Sequence, residues 1–233
     1  MTMPSYEEIY AQHAEEYDAM VAREDYQGNL LTTLQRLRPL SGLDVVEMGA
    51  GTGRFTRLLA PLVRTIRAYD ASQHMLDKAA ATLQPLALNN WTLQQAQHKA
   101  LPTAAASADL CLAGWTFGHA IAWHGVHWPR EIGAALREMF RVLRPGGMAV
   151  IVETLGTGEE TPNPPAHLLG YYAWLEAEHG FMRVMLRTDY RFDTLEQGQT
   201  LAGFFFGPEM AEKIRLNQWQ ILPECTGVWY KVP

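Results

Sequence analysis

The run Val45-Val46-Glu47-Met48-Gly49-Ala50-Gly51-Thr52-Gly53-Arg54-Phe55 constrains this chain more than any other stretch. An apolar segment breaks into alternating glycines, which is how a buried strand hands over to a helix whose free N–H groups attract an anionic group. Glycine there permits positive φ and lets a ligand lie against bare backbone. A nucleoside ligand is expected at this turn. A dinucleotide fingerprint, G-x-G-x-x-G, would place glycine or alanine where the chain has Arg54. The pattern is instead E-x-G-x-G-x-G.

Apolar strand-like runs alternate with amphipathic stretches of helical length, the signature of a parallel sheet with crossover helices and hence of an α/β fold. Strands are expected over 43–48, 65–69, 91–95, 108–113 and 148–153, with helices over 55–63, 72–84 and 129–143. The last of these helices is expected to end at Arg144-Pro145-Gly146-Gly147, where proline and paired glycines turn the chain into the next strand. Two helices, over 6–20 and 26–38, precede the first strand. Beyond Glu153 come a glycine- and proline-rich loop, a helix over 166–179, a strand over 181–190, an insertion carrying Phe204-Phe205-Phe206 and a short helix from Pro208, then a final strand within 221–232. The phenylalanine triplet is expected to be buried, because an exposed one would favour aggregation.

At 233 residues and 48% hydrophobic composition, the chain suits one domain with a substantial core. Its expected parts are a helical cap over 1–40, a core over 41–154, and C-terminal strands with a helical insertion over 155–233. A formal net charge of -6 argues against a broad basic surface for nucleic acid. Two cysteines, Cys111 and Cys225, suggest neither a disulfide framework nor a multi-cysteine metal site, and they fit a reducing compartment. With no apolar stretch of spanning length and no basic-then-apolar start, the chain reads as a complete cytoplasmic protein with no membrane association. Its oligomeric state is left open.

In an open parallel sheet the ligand sits beyond the carboxyl ends of the strands. After the second strand stands Asp70, seventeen residues beyond Gly53, where a carboxylate can accept hydrogen bonds from both hydroxyls of a ribose or cap the helix from Ser72. Glu47 either partners a ligand ammonium or orients loop N–H groups.

The glycine pattern, Asp70 with Ser72, Met75 and Leu76, the stretch Gln97-His98-Lys99-Ala100-Leu101-Pro102 and the segment Arg141-Val142-Leu143-Arg144-Pro145-Gly146-Gly147 stand in the order of the class I S-adenosylmethionine-dependent methyltransferases. Over about 6–153 the chain resembles their type 11, UbiE-like, small-molecule group. The resemblance implies a three-layer Rossmann-like methyltransferase fold, with a seven-stranded mostly parallel sheet, an antiparallel C-terminal strand and helices on both faces. It implies S-adenosylmethionine as cofactor, held by Tyr17, Glu47, Gly49, Gly51, Gly53, Asp70, Ala71, Met75, Gln97, His98, Ala113 and Gly114. Asp70 would hold the ribose, Met75 and Leu76 would pack on adenine, and the small residues Ala113 and Gly114 would border the methionine part. Gln97 stands where the family has aspartate to accept the adenine amino group. Tyr17, in His13-Ala14-Glu15-Glu16-Tyr17-Asp18, would fold over the cofactor, although Tyr10 and Tyr17 share a helix face and also suit packing on the sheet.

Methyl transfer needs alignment, exclusion of water and sometimes a base, and no fixed triad. The stretch from Trp115 to Trp128 follows the fourth strand with three histidines and three tryptophans, and should border a small-molecule methyl acceptor. His119, nearest the strand end, is the candidate catalytic base; Trp115, His119, Trp123, Tyr171 and Tyr172 are candidate acceptor contacts. Equally, the histidines suit a solvent-edge helix, and Tyr171, Tyr172 and Trp174 suit the core. His119, His124 and His127 lack a carboxylate or cysteine to complete a metal set, so no metal is expected. A nicotinamide-dependent oxidoreductase and a non-catalytic binding module of the same fold are the alternative readings.

Overall fold

The computed structural model describes Glu8, Ile9 and residues 12–233. Tyr6 and Tyr10 lie outside the described residues. Of the helix expected over 6–20, α1 spans Ala14–Val21, and α2 follows at Asn29–Leu37.

The glycine-terminated run forms β1, Asp44–Met48, and α3, Arg54–Leu59, starts directly after Gly53. Then come β2 (Thr65–Asp70), α4 (Gln73–Leu83), β3 (Trp91–Gln95), β4 (Ala108–Gly114), α5 (His119–His124), α6 (Trp128–Val142) and β5 (Leu143–Thr157). The C-terminal part adds α7 (Leu169–Ala177), β6 (Met182–Arg187), β7 (Tyr190–Arg191), α8 (Leu195–Phe206), α9 (Pro208–Asn217), β8 (Ile221–Leu222) and β9 (Glu224–Lys231).

The main sheet has seven strands in the order β3-β2-β1-β4-β5-β9-β6, with β9 antiparallel to both its neighbours and the other pairs parallel. Strand order reverses between β1 and β4, which opens a crevice at their carboxyl ends.

Alternation along the strands feeds two cores. Val46 and Met48 face one with Leu136 and Met139 of α6 and Leu175 of α7. Val45 faces the other with Leu30 and Leu34 of α2 and Leu59 of α3. A third cluster, Met20, Tyr190, Phe192, Ala202, Ile214 and Leu222, packs α1, α8, α9 and the β7–β8 ribbon together. This assembly stands over the crevice.

Two expectations about the chain path are corrected. The sixth helix stops at Val142, before Arg144-Pro145-Gly146-Gly147, because Leu143 already pairs with Ala108 of β4. A register shift between Ala108 and Leu110 absorbs the glycines, and Arg144 is tied to Asp44 and Asp109 at 2.8 Å each. The single strand expected over 181–190 is two strands. The Thr188 N–H turns to the Glu224 carbonyl at 3.0 Å, and Tyr190 leaves the main sheet to pair with Leu222.

Candidate active site

The turn after β1 is built on the end of β2. Gly49 and Ala50 both donate to the Tyr69 carbonyl, at 2.7 and 2.9 Å, and Gly51 donates to Asp70 Oδ2 at 2.8 Å. Asp70 Oδ1 accepts the Ser72 N–H at 2.8 Å, while Ser72 caps α4 through the Met75 N–H. Asp70 is thus oriented from both sides, and each carboxylate oxygen keeps a lone pair for a ligand.

Gly49 has φ +78°, and a Cβ there would fall 2.3 Å from Thr116 Oγ1. The position therefore excludes any side chain and leaves backbone facing the crevice. Trp115, at φ +49°, holds a conformation unusual for a bulky residue. Its N–H donates to the Val152 carbonyl at 2.6 Å.

Two cavities open side by side at the crevice. The outer, about 300 Å3, is lined by residues that include Gly51, Asp70, Ala71, Met75, His98 and Thr116. The inner, about 220 Å3, runs beneath the cap between Glu24, Glu47, Arg54, Glu153, Tyr190 and Glu224. Tyr17, Gly49, Gly114, Trp115, His119 and Trp123 line both.

Of the expected cofactor residues, Tyr17, Gly49, Gly51, Asp70, Ala71, Met75, His98 and Gly114 therefore lie around the outer cavity. Four do not. Glu47 lines the inner cavity and accepts the Thr56 hydroxyl at 2.5 Å. Gly53, at φ +86°, starts α3, and a Cβ there would press on Ala79 of α4; its smallness serves helix packing. Ala113 is turned into the core beneath the sheet. Gln97 is exposed and lines neither cavity, and His98, one residue on, faces inward instead.

Trp115, His119 and Trp123 line both cavities, with the His119 and Trp123 rings stacked at 5.3 Å. Tyr171 and Tyr172 do not line the cavity. Both are buried in the core, the Tyr171 hydroxyl donating to Glu153 at 3.4 Å and that of Tyr172 to the Thr154 carbonyl at 2.6 Å. They back the wall rather than form it. His124 and His127 are exposed, and no group of three or more metal-ligating side chains is assembled among the described residues.

The inner cavity holds functional groups that sequence reasoning missed. Glu24 accepts from Arg54 at 2.7 Å, from the Tyr190 hydroxyl at 2.9 Å and from the Thr188 hydroxyl at 3.1 Å. The Arg54 guanidinium lies 4.1 Å from the Trp115 ring centre. Phe205 and Phe206, expected to be buried, are half-buried and form part of the cavity wall.

Burial sets the electrostatics. It pushes Glu47 up to about 8 and Glu153 up to about 7. Burial raises the Tyr17 phenol too, and it lowers His119 to about 4 against the opposing hydrogen bond to the Trp115 backbone.

The residues fit a nucleoside-bearing cofactor. Asp70 presents a carboxylate to a diol, backbone is bared at Gly49 and Gly51, and the buried His98 Nδ1 has no partner among the described residues and faces the same cavity. Residues 46–151 match the family described as "Methyltransferase domain". Over that stretch the chain is similar to the type 11 methyltransferase domain.

The chain is 30% identical over 154 residues to a demethylmenaquinone methyltransferase of Lactococcus lactis, covering 64% of the chain and 58% of that protein. It is 30% identical over 149 residues to a malonyl-[acyl-carrier protein] O-methyltransferase of Yersinia pestis, covering 64% and 49%. The chain spans about half the length of the curated relatives it matches. In fold, it is similar to the YcgJ protein of Bacillus subtilis, at TM-score 0.60 and 16% identity, covering 88% of this chain and 97% of that one. A SAM-dependent methyltransferase from Aquifex aeolicus gives TM-score 0.56 and 14% identity over 98% and 94%.

Proposed function

We propose that the chain transfers a methyl group from S-adenosylmethionine to a small-molecule acceptor by direct displacement. The observation that carries this reading is the shared wall of the two cavities, at Gly49, Gly114, Trp115 and His119. A cofactor in the outer cavity and an acceptor in the inner one would meet there.

The bound cofactor supplies a methyl group on a positively charged sulfur. Asp70 and the bared backbone of Gly49 and Gly51 hold the nucleoside end, and Tyr17 covers it. Phe205 and Phe206 form part of the wall of the inner cavity. His119 is neutral at pH 7 and is available as a weak base, while Glu153, titrating near 7, is better matched to accept a proton at neutral pH. No helix among the described residues is long and apolar enough to cross a membrane. Both cysteines are buried and unpaired, which supports a cytoplasmic location.

Calorimetric titration with S-adenosylhomocysteine tests the reading, with NAD as the competing ligand. Binding of S-adenosylhomocysteine that Asp70→Ala weakens by at least about tenfold supports it. No heat with S-adenosylhomocysteine, or tighter binding of NAD, overturns it.

A further inference from the structure

The inner cavity has more carboxyl groups than basic side chains among its described lining residues. Four carboxylates line it, those of Glu24, Glu47, Glu153 and Glu224, and Arg54 is the only lysine or arginine among its described lining residues. Glu24 already neutralises that arginine at 2.7 Å. Glu47 is satisfied by Thr56, and Glu153 Oε1 accepts the Gly118 N–H at 2.9 Å.

Glu224 is different. Its residue is 1% exposed, and Thr154 donates to Oε1 at 2.6 Å; the Thr157 hydroxyl also faces the carboxyl, but Oε2 has no partner in hydrogen-bond geometry among the described residues. Thr52 Oγ1, also on a residue 1% exposed, is a second unpartnered polar atom on the same cavity. Buried acceptors are rarely left without a donor, and each such omission costs about 1–3 kcal/mol, so a ligand donor is expected at Oε2.

We infer that the methyl acceptor is a small amine that docks as its ammonium against Glu224, its apolar body held between Trp115, Trp123, Phe205 and Phe206. The Glu224 carboxylate takes one proton, and the freed nitrogen lone pair would form the new N–C bond as the methyl–sulfur bond of the sulfonium breaks, leaving the neutral thioether. The inference rests on the methyltransferase reading and adds the substrate class to it. An ammonium supplies donors to an acceptor-rich floor and favours the ionised form of the Glu224 carboxyl, which burial pushes up to about 8. An anionic acceptor would supply no donor to this floor and would further oppose ionisation of the carboxyl groups that line it. A cavity of about 220 Å3 also limits the acceptor to a compact molecule.

The test is calorimetry on the full chain saturated with S-adenosylhomocysteine, using three probes of nearly equal shape: 2-phenylethylamine, 2-phenylethanol and phenylacetate. The amine is expected to bind at least about tenfold more tightly than the alcohol, with phenylacetate weakest. Glu224→Gln should remove that preference while leaving S-adenosylhomocysteine affinity unchanged. The ranking in the unsubstituted protein decides the amine class by itself, whether or not the variant folds. Equal or tighter binding of the alcohol or acid, or no binding of the amine, overturns the inference and leaves the methyltransferase reading standing. A preference that survives in folded Glu224→Gln overturns the assignment to Glu224. Failure of S-adenosylhomocysteine to bind removes both readings.

Discussion

The Gly51 N–H donates to Asp70 Oδ2 at 2.8 Å, so the turn after the first strand and the carboxylate after the second are a single hydrogen-bonded unit. Asp70→Asn keeps the shape but turns one acceptor into a donor facing an N–H group. We expect it to lower stability by about 1–3 kcal/mol and to weaken S-adenosylhomocysteine binding. Urea unfolding and calorimetry measure the two effects.

Gly49→Ala would drive a Cβ to 2.3 Å from Thr116 Oγ1 at a backbone φ of +78°. The expected loss is about 1–3 kcal/mol, with cofactor-product binding abolished. Adding Thr116→Ala should recover the part due to contact and leave the part due to φ, which a double-mutant cycle resolves.

Arg54→Met removes the cation from Glu24, a carboxylate 2% exposed. An uncompensated buried charge of this kind costs about 3–5 kcal/mol, and the hydroxyls of Tyr190 and Thr188 place the expected loss at the lower end. Arg54→Met with Glu24→Gln should be more stable than Arg54→Met alone. Thermal melts of the three variants check the order.

Burial holds Glu153 at about 7 and Glu47 at about 8, both above the ordinary 4.5. The folded state therefore retains protons that the unfolded chain releases. Stability is fully present below pH 4.5 as far as these groups are concerned, and it is lost as pH rises through 7 to 8. The melting temperature of the ligand-free protein should fall from pH 5 to pH 8. Glu153→Gln should flatten that fall between about pH 5 and pH 7; an unchanged slope there would remove Glu153 as its source.

How much of this was legible in the residues follows from range. The glycine turn, the α/β alternation and Asp70 could be read directly, because each depends on backbone conformation or on spacing within one βαβ unit. Trp115, His119 and Trp123 were legible as well, since they follow a strand end closely. The same local reading failed at Ala113, where strand alternation turns the side chain to the core, and at Gln97, where the inward position falls one residue later.

The inner cavity was not legible. Glu24, Arg54, Tyr190 and Glu224 are distant in sequence, and no spacing rule links the loop after α1, the start of α3, the β7–β8 ribbon and the first residue of β9. Nor does any local signal show that Tyr171 lies behind Glu153 while Phe205 and Phe206 reach the cavity. The sequence by itself determined the glycine turn and its tie to Asp70, the proposed cofactor bed, which is made by short-range backbone geometry. Only the tertiary structure decided the chemistry of the inner cavity, the proposed acceptor site, because burial there arises from packing α1, α8, the β7–β8 ribbon and the antiparallel C-terminal strand against the crevice.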